Sequence, residues 1–168
     1  MKLAAIDIGS NAIHFQVTNV MEYEKSVPIF KKIEYIRFPL RLGHDVFTKG
    51  EISNLKREKF VQLMQTFKLL MDLYEVDHYM GCATSAMRES VNGKEIIDHV
   101  KLNIGLSIDI IDGETEASYI NTAINAFLKD GLFVHIDVGG GSTEINLYED
   151  GVKLNSASFQ VGAVRSLE

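Results

Sequence analysis

Several features common in globular chains are scarce in this 168-residue sequence. It has a single cysteine, Cys82, so no internal disulfide can form. That economy fits a reducing compartment, and Cys82 within "HYMGCATS" reads as a small buried strand residue. The two prolines, Pro28 and Pro39, stand either side of one strand-like run. No apolar stretch approaches the roughly 18 residues of a membrane span, and the first residues lack a signal-peptide layout. A cytoplasmic protein without membrane contact is expected. Excess positive charge is also missing. The formal net charge is −6, which leaves no overall basic footprint for nucleic acid. An anionic substrate would therefore need a local site. The five histidines show no H-x-x-x-H spacing, which argues against zinc.

What is present is a change of hydrophobic period along the chain. Lys2–Ile8 and Ala12–Val20 read as strands joined by a turn at Gly9-Ser10-Asn11, and Ile29–Phe38 as a third strand. Arg41–Gly50 reads as a loop. From Ser53, a candidate N-cap, the residues Phe60, Leu63, Met64, Phe67, Leu70, Met71 and Tyr74 recur at helical spacing as one apolar stripe. A strand is expected at His78–Cys82, a turn or short helix at Ser85–Val91, a helix at Lys94–Ile104 and a strand at Ser107–Ile111. A helix over Glu114–Lys129 would gather Ala117, Ile120, Ala123, Ile124, Phe127 and Leu128 on one side, with Gly131 past its end. Leu132–Val138, Glu144–Tyr148 and Val152–Phe159 are three more strands. Strands alternating with helices predict an α/β lobe with parallel neighbours in its sheet.

The last three strands repeat the first three. "IDIG" at Ile6–Gly9 returns as "IDVG" at Ile136–Gly139, an offset of 130 residues (136 − 6). An internal duplication is the natural reading, with a first lobe over residues 1–130 and the opening strands of a second over 131–168. Nothing after the second set supplies helices to cover it. The expectation is a fragment of a two-lobed protein, or alternatively a homo-oligomer that covers the face.

Each copy carries an acid at a strand end followed by small residues: Asp7-Ile8-Gly9-Ser10-Asn11 and Asp137-Val138-Gly139-Gly140-Gly141-Ser142-Thr143. Glycines admit close backbone approach, and successive N–H groups in such turns form an anion-binding concavity. Ser142 and Thr143 add hydroxyls, and Asp137 is placed to hold a divalent cation. A plain hairpin would need only one glycine, and three weaken a strand. No G-x-x-x-x-G-K-[ST] loop is present. A G-x-G-x-x-G fingerprint is excluded as well, because a strand follows the glycines rather than a helix.

Five ordered stretches, "DIGSNAIHF", "ATSAMRESVNG", "IIDGETEA", "IDVGGGSTEI" and "VGAVRSLE", resemble the exopolyphosphatase and guanosine pentaphosphate phosphohydrolase family. That family lies within the actin-like ATPase and sugar-kinase superfamily. The resemblance implies an actin-like (ribonuclease H-like) βββαβαβα lobe followed by a second βββ. It implies hydrolysis of terminal phosphoanhydride bonds in inorganic polyphosphate or guanosine pentaphosphate with Mg²⁺. Carried over residue by residue, it makes Glu116 the catalytic group that orients or deprotonates water. Phosphate contacts fall on Gly9, Ser10, Asn11, Arg88, Gly139, Gly140, Gly141, Ser142 and Thr143, and metal contacts on Asp7, Asp137 and Glu144. Three positions depart from the family pattern: Asp112 for a serine, Thr115 for a glutamate, and Ala12 for a serine.

Blander readings exist for single residues. An acid in a helix's first turn, such as Glu116, is favoured by the helix dipole alone. Arg88 would serve as a surface ion-pair partner, and Glu144 as a solvated strand acid. Lys31-Lys32 and Lys56-Arg57 read as solvated faces. Two other functions share the superfamily: a small-molecule kinase, and a non-catalytic nucleotide-binding or assembly module.

Overall fold

The computed structural model describes residues 1–22, 28–125, 127–128 and 130–167. Strands β1 (Lys2–Ile8), β2 (Ile13–Met21) and β3 (Ile29–Phe38) open the chain. They are followed by α1 (Leu42–Lys49), α2 (Asn54–Leu73), β4 (His78–Ala83), α3 (Ser85–Glu89), α4 (Gly93–Ile104), β5 (Asp109–Ile110) and α5 (Gly113–Asn125). Strands β6 (Leu132–Val138), β7 (Thr143–Glu149) and β8 (Val152–Phe159) close it, ahead of a 3₁₀ turn at Arg165–Leu167.

The first sheet runs β3-β2-β1-β4-β5. β1, β2 and β3 are antiparallel, and β4 and β5 run parallel to β1. This is the expected actin-like lobe. The second sheet, β6-β7-β8, is an antiparallel meander that repeats β1-β2-β3.

The core forms where the two periods meet. Alternation buries Ile6, Ile8, Ile13, Phe15 and Val17 on one face of the first sheet. The helical stripe of α2 lays Phe60, Met64, Phe67 and Met71 on that face, and α4 adds Ile96 and Val100. The Phe15 and Phe67 rings stack 4.6 Å apart, adding an aromatic contact to the burial of both rings. Leu63, Leu70 and Tyr74 pack at the margin of the same cluster.

Three local expectations change. Arg41–Gly50 is not a loop. Arg41 turns the chain through a left-handed conformation, α1 follows, and Gly50 closes it at φ 79°. Leu42 and Val46 enter the core from α1, one turn apart, a pair too short to stand out as periodicity. Asp45, also buried, accepts from the Ser53 amide at 3.1 Å and pairs with Lys56 at 2.7 Å. Ser53 is extended at the N-cap of α2, but its side chain makes no capping bond. β5 is only two residues long, because the Ser107 amide donates to the Tyr79 hydroxyl at 2.8 Å instead of joining a ladder.

The last helix, α5, ends at Asn125, and the Lys129 end of the expected helix lies outside the described residues. Its apolar side is half-buried at Ala117, Ile120 and Ile124 and exposed at Ala123. α5 lies over the opposite face of the first sheet, and its Ala123, with Phe127 beyond it, lines a cavity of about 760 Å³ with Leu3, Ala5, Tyr79 and Met80. No described helix is long and apolar enough to cross a membrane.

Candidate functional site

Two turns of identical design face each other. In the first, the Gly9 amide donates to the Ala12 carbonyl at 3.1 Å. In the second, the Gly139 amide donates to the Ser142 carbonyl at 2.9 Å. Each turn is held from behind through its carbonyls. The Gly43 amide donates to Ser10 O and the Arg41 amide to Asn11 O, at 2.8 and 2.9 Å. The Ala163 amide donates to Gly139 O, and those of Val164 and Arg165 to Gly140 O, at 2.9, 2.9 and 3.0 Å. Among the described residues, the N–H groups of Ser10, Asn11, Ala12, Gly140, Gly141 and Ser142 have no protein acceptor. Carbonyls bound behind and amides left free in front make each turn an anion cradle.

The turns meet closely enough that side chains would obstruct them. A Cβ on Gly140 would lie 2.9 Å from the Ser10 Cβ and 3.3 Å from the Asn11 nitrogen. A Cβ on Gly162, in the segment behind the second turn, would lie 2.6 Å from the Gly140 carbonyl atoms. Both positions need glycine for approach rather than for φ. The turns enclose a cavity of about 270 Å³, into which Asp7, Glu116, Asp137 and Glu144 also open.

Hairpin register delivers the acids. Asp7 stands opposite His14, and Asp137 opposite Glu144. The His14 Nδ1 lies 3.1 Å from Asp7 Oδ2, and the Ser158 hydroxyl donates to Glu144 Oε1 at 3.0 Å. Glu116 arrives from the first turn of α5, whose start Asp112 caps by accepting from the Thr115 amide at 2.8 Å. That bond, above all, holds the Asp112 carboxyl below the usual carboxylate range. Asp112 therefore takes up the capping work open to the serine usual at this place.

Burial pushes the Glu116 carboxyl up to about 7. Arg88 opposes that rise, while the charges of Glu144, Asp7 and Asp137 add to it. The Arg88 Nη1 lies 3.9 Å from Glu116 Oε2 and donates to the Ile111 carbonyl at 2.6 Å. A carboxyl titrating near neutrality beside two anion cradles is suited to accept a proton from water.

The structure gathers Asp7, Gly9, Ser10, Asn11, Glu116, Asp137, Gly139, Gly140, Gly141, Ser142 and Glu144 around one cavity. Two expected contacts stand apart from its lining. Arg88 lies behind Glu116 on the Ile111 carbonyl, and the Thr143 hydroxyl donates to Val161 O at 2.5 Å. Sequence reasoning missed His14, Arg37, Thr84 and Ser85, which also line the cavity. His14 was findable, since a hairpin centred on Gly9–Ala12 sets it across from Asp7. Ser85 was not, because its 2.8 Å contact with the Ser10 hydroxyl joins positions 75 residues apart.

Among the described residues, no three His, Cys, Asp or Glu side chains converge closely enough to hold a metal alone. Magnesium does not require such a cage. It keeps several waters and binds one or two carboxylates together with substrate phosphates. The oxygen-only acids Asp7, Asp137 and Glu144 all line the cavity and fit that donor chemistry.

Comparison with known proteins bears on the fold and the family. The crystal structure of an exopolyphosphatase from Cytophaga hutchinsonii matches with a TM-score of 0.85 at 25% identity, over 99% of this chain and 53% of that one. Exopolyphosphatase 1 of Mycobacterium tuberculosis is 25% identical over 167 residues, covering 98% of this chain and 47% of the relative. The guanosine-5′-triphosphate,3′-diphosphate pyrophosphatase of Photobacterium profundum is 29% identical over 167 residues, covering 98% of this chain and 32% of the relative. The chain thus spans half the length of these curated relatives or less. The match to the Ppx/GppA phosphatase family runs over residues 20–168, and the chain belongs to that family.

Proposed function

We propose that this chain carries the catalytic cleft of a phosphoanhydride hydrolase. It would release orthophosphate from the end of inorganic polyphosphate, or the 5′ γ-phosphate of guanosine pentaphosphate. The observation that carries this reading is the pair of amide-lined turns that share one small cavity with Glu116. Such hydrolysis needs positioning, charge neutralisation and an oriented water rather than a covalent step.

Each requirement has residues available. The free amides of Ser10, Asn11 and Ala12 would take phosphate oxygens from one side, and those of Gly140, Gly141 and Ser142 from the other. Asp7, Asp137 and Glu144 would hold Mg²⁺, which supplies charge neutralisation for the bound phosphates. Glu116 would accept a proton at its carboxylate from the attacking water, which requires the ionised form. Arg88 favours that form and, through Ile111 O, fixes the corner from which α5 starts. Phosphate contact by Arg88 would use nitrogens other than the Nη1 held by that carbonyl.

The test is orthophosphate release from long-chain polyphosphate and from guanosine pentaphosphate, each with Mg²⁺ and with EDTA. Release that needs the metal is the expected result, and the preferred substrate is read from the ratio of the two rates. Equal release with EDTA would remove the metal from the reading.

A further inference from the structure

Behind the second turn lies a side chain that the cleft chemistry does not use. The Arg165 Nε donates to the Gly141 carbonyl at 2.7 Å. Its Nη2 reaches both oxygens of Glu89, at 2.8 and 2.7 Å. The guanidinium lies 4.1 Å from the centre of the Phe47 ring. These three partners belong to different parts of the molecule. Glu89 ends α3, the helix that begins with Ser85, and the Ser85 hydroxyl lies 2.8 Å from that of Ser10 in the first turn. Phe47 is on α1, whose Gly43 amide backs Ser10. Gly141 belongs to the second turn.

We propose that Arg165 is a positioning residue: its forked bond to Glu89 and its bond to Gly141 fix the second phosphate turn against the first lobe. Both turns are thereby held at one spacing across the bound phosphates. The inference deepens the hydrolase reading and rests on it. An exposed ion pair alone contributes little, because two long side chains must be ordered in water. Arg165 differs in being three-quarters buried and held in three directions at once. A planar fork stacked on a ring does this, and a lysine ammonium does not.

The test compares Arg165→Lys, Glu89→Gln and their double variant with Arg57→Gln, which removes a distant surface pair between Arg57 and Glu95. Amide hydrogen exchange is measured at Ala163, Val164 and Arg165, the donors behind the second turn, and in α4. Both latch variants are expected to exchange at least tenfold faster at those amides, with α4 unchanged. With tripolyphosphate and Mg²⁺, KM should rise about tenfold while kcat changes less than threefold, and the double variant should be no worse than either single one. Exchange no faster than in Arg57→Gln overturns the proposal. So does an unchanged KM alongside a lowered Tm, which marks a merely structural pair. Should the unaltered chain release no phosphate, the exchange result alone decides the latch.

Discussion

The two βββ units are near copies with opposite surroundings. Ile6 and Ile8 are 2% and 0% exposed beneath α2 and α4, whereas their counterparts Ile136 and Val138 are 59% and 62% exposed. The other face of the second sheet carries Asp137, Glu144 and Asn146. The repeat therefore preserves the turn and the polar side of each hairpin, while the burial of the apolar side depends on what packs over it. Turn geometry is local: it follows from small residues and a few carbonyl bonds. Core burial is not local, and the same strand pattern is a core in one sheet and a surface in the other.

The largest effect that would sharpen this contrast concerns stability. Ile6→Ala should cost about 2–5 kcal/mol, because it opens a cavity in a packed site. Ile136→Ala, at the same place in the second hairpin, should change stability by about 0.5 kcal/mol or less. Denaturant unfolding of the two variants measures both, and equal losses would break the comparison.

The two hairpins should also differ in how they tune Glu116. Burial raises its carboxyl to about 7, so the ionised, proton-accepting form is lost as pH falls below that value. Phosphate release should drop about tenfold for each pH unit below about 7 and level off above it. Glu144→Gln should move that limb to lower pH further than Asp7→Asn does, because Glu144 raises the carboxyl more than Asp7 does. A ¹³C titration of Glu116 without metal or substrate separates the two variants.

A smaller change would come from Ala12→Ser, which gives the first turn the residue found at Ser142 in the second. One hydroxyl is added to a phosphate cradle, so a fall in KM of severalfold is expected, with the fold unchanged. Steady-state kinetics on tripolyphosphate would show it.

Much of this was legible in the sequence, and the exceptions share a cause. The stripe from Phe60 to Met71 announced α2 because four buried residues recur along one helix face. The glycine turns were legible because their bonds run within a few residues of each other. α1 was not, since its eight residues place only Leu42 and Val46 in the core. Its rear contacts on Ser10 and Asn11 span some 30 residues. Arg165 was read only as part of a motif, because its partners Glu89 and Phe47 lie 76 and 118 residues away (165 − 89 and 165 − 47). Local chemistry shows in a pattern, and contacts made by folding do not.

The central claim is that the two turns close on a phosphate chain for Glu116 to hydrolyse. The most direct test is Mg²⁺-dependent orthophosphate release by the chain and by its Glu116→Gln variant, with folding checked by far-UV circular dichroism. The account predicts release by the unaltered chain and a loss of about 10²–10⁴-fold in the variant, the usual contribution of a positioned general base. Release at an undiminished rate by folded Glu116→Gln would contradict it.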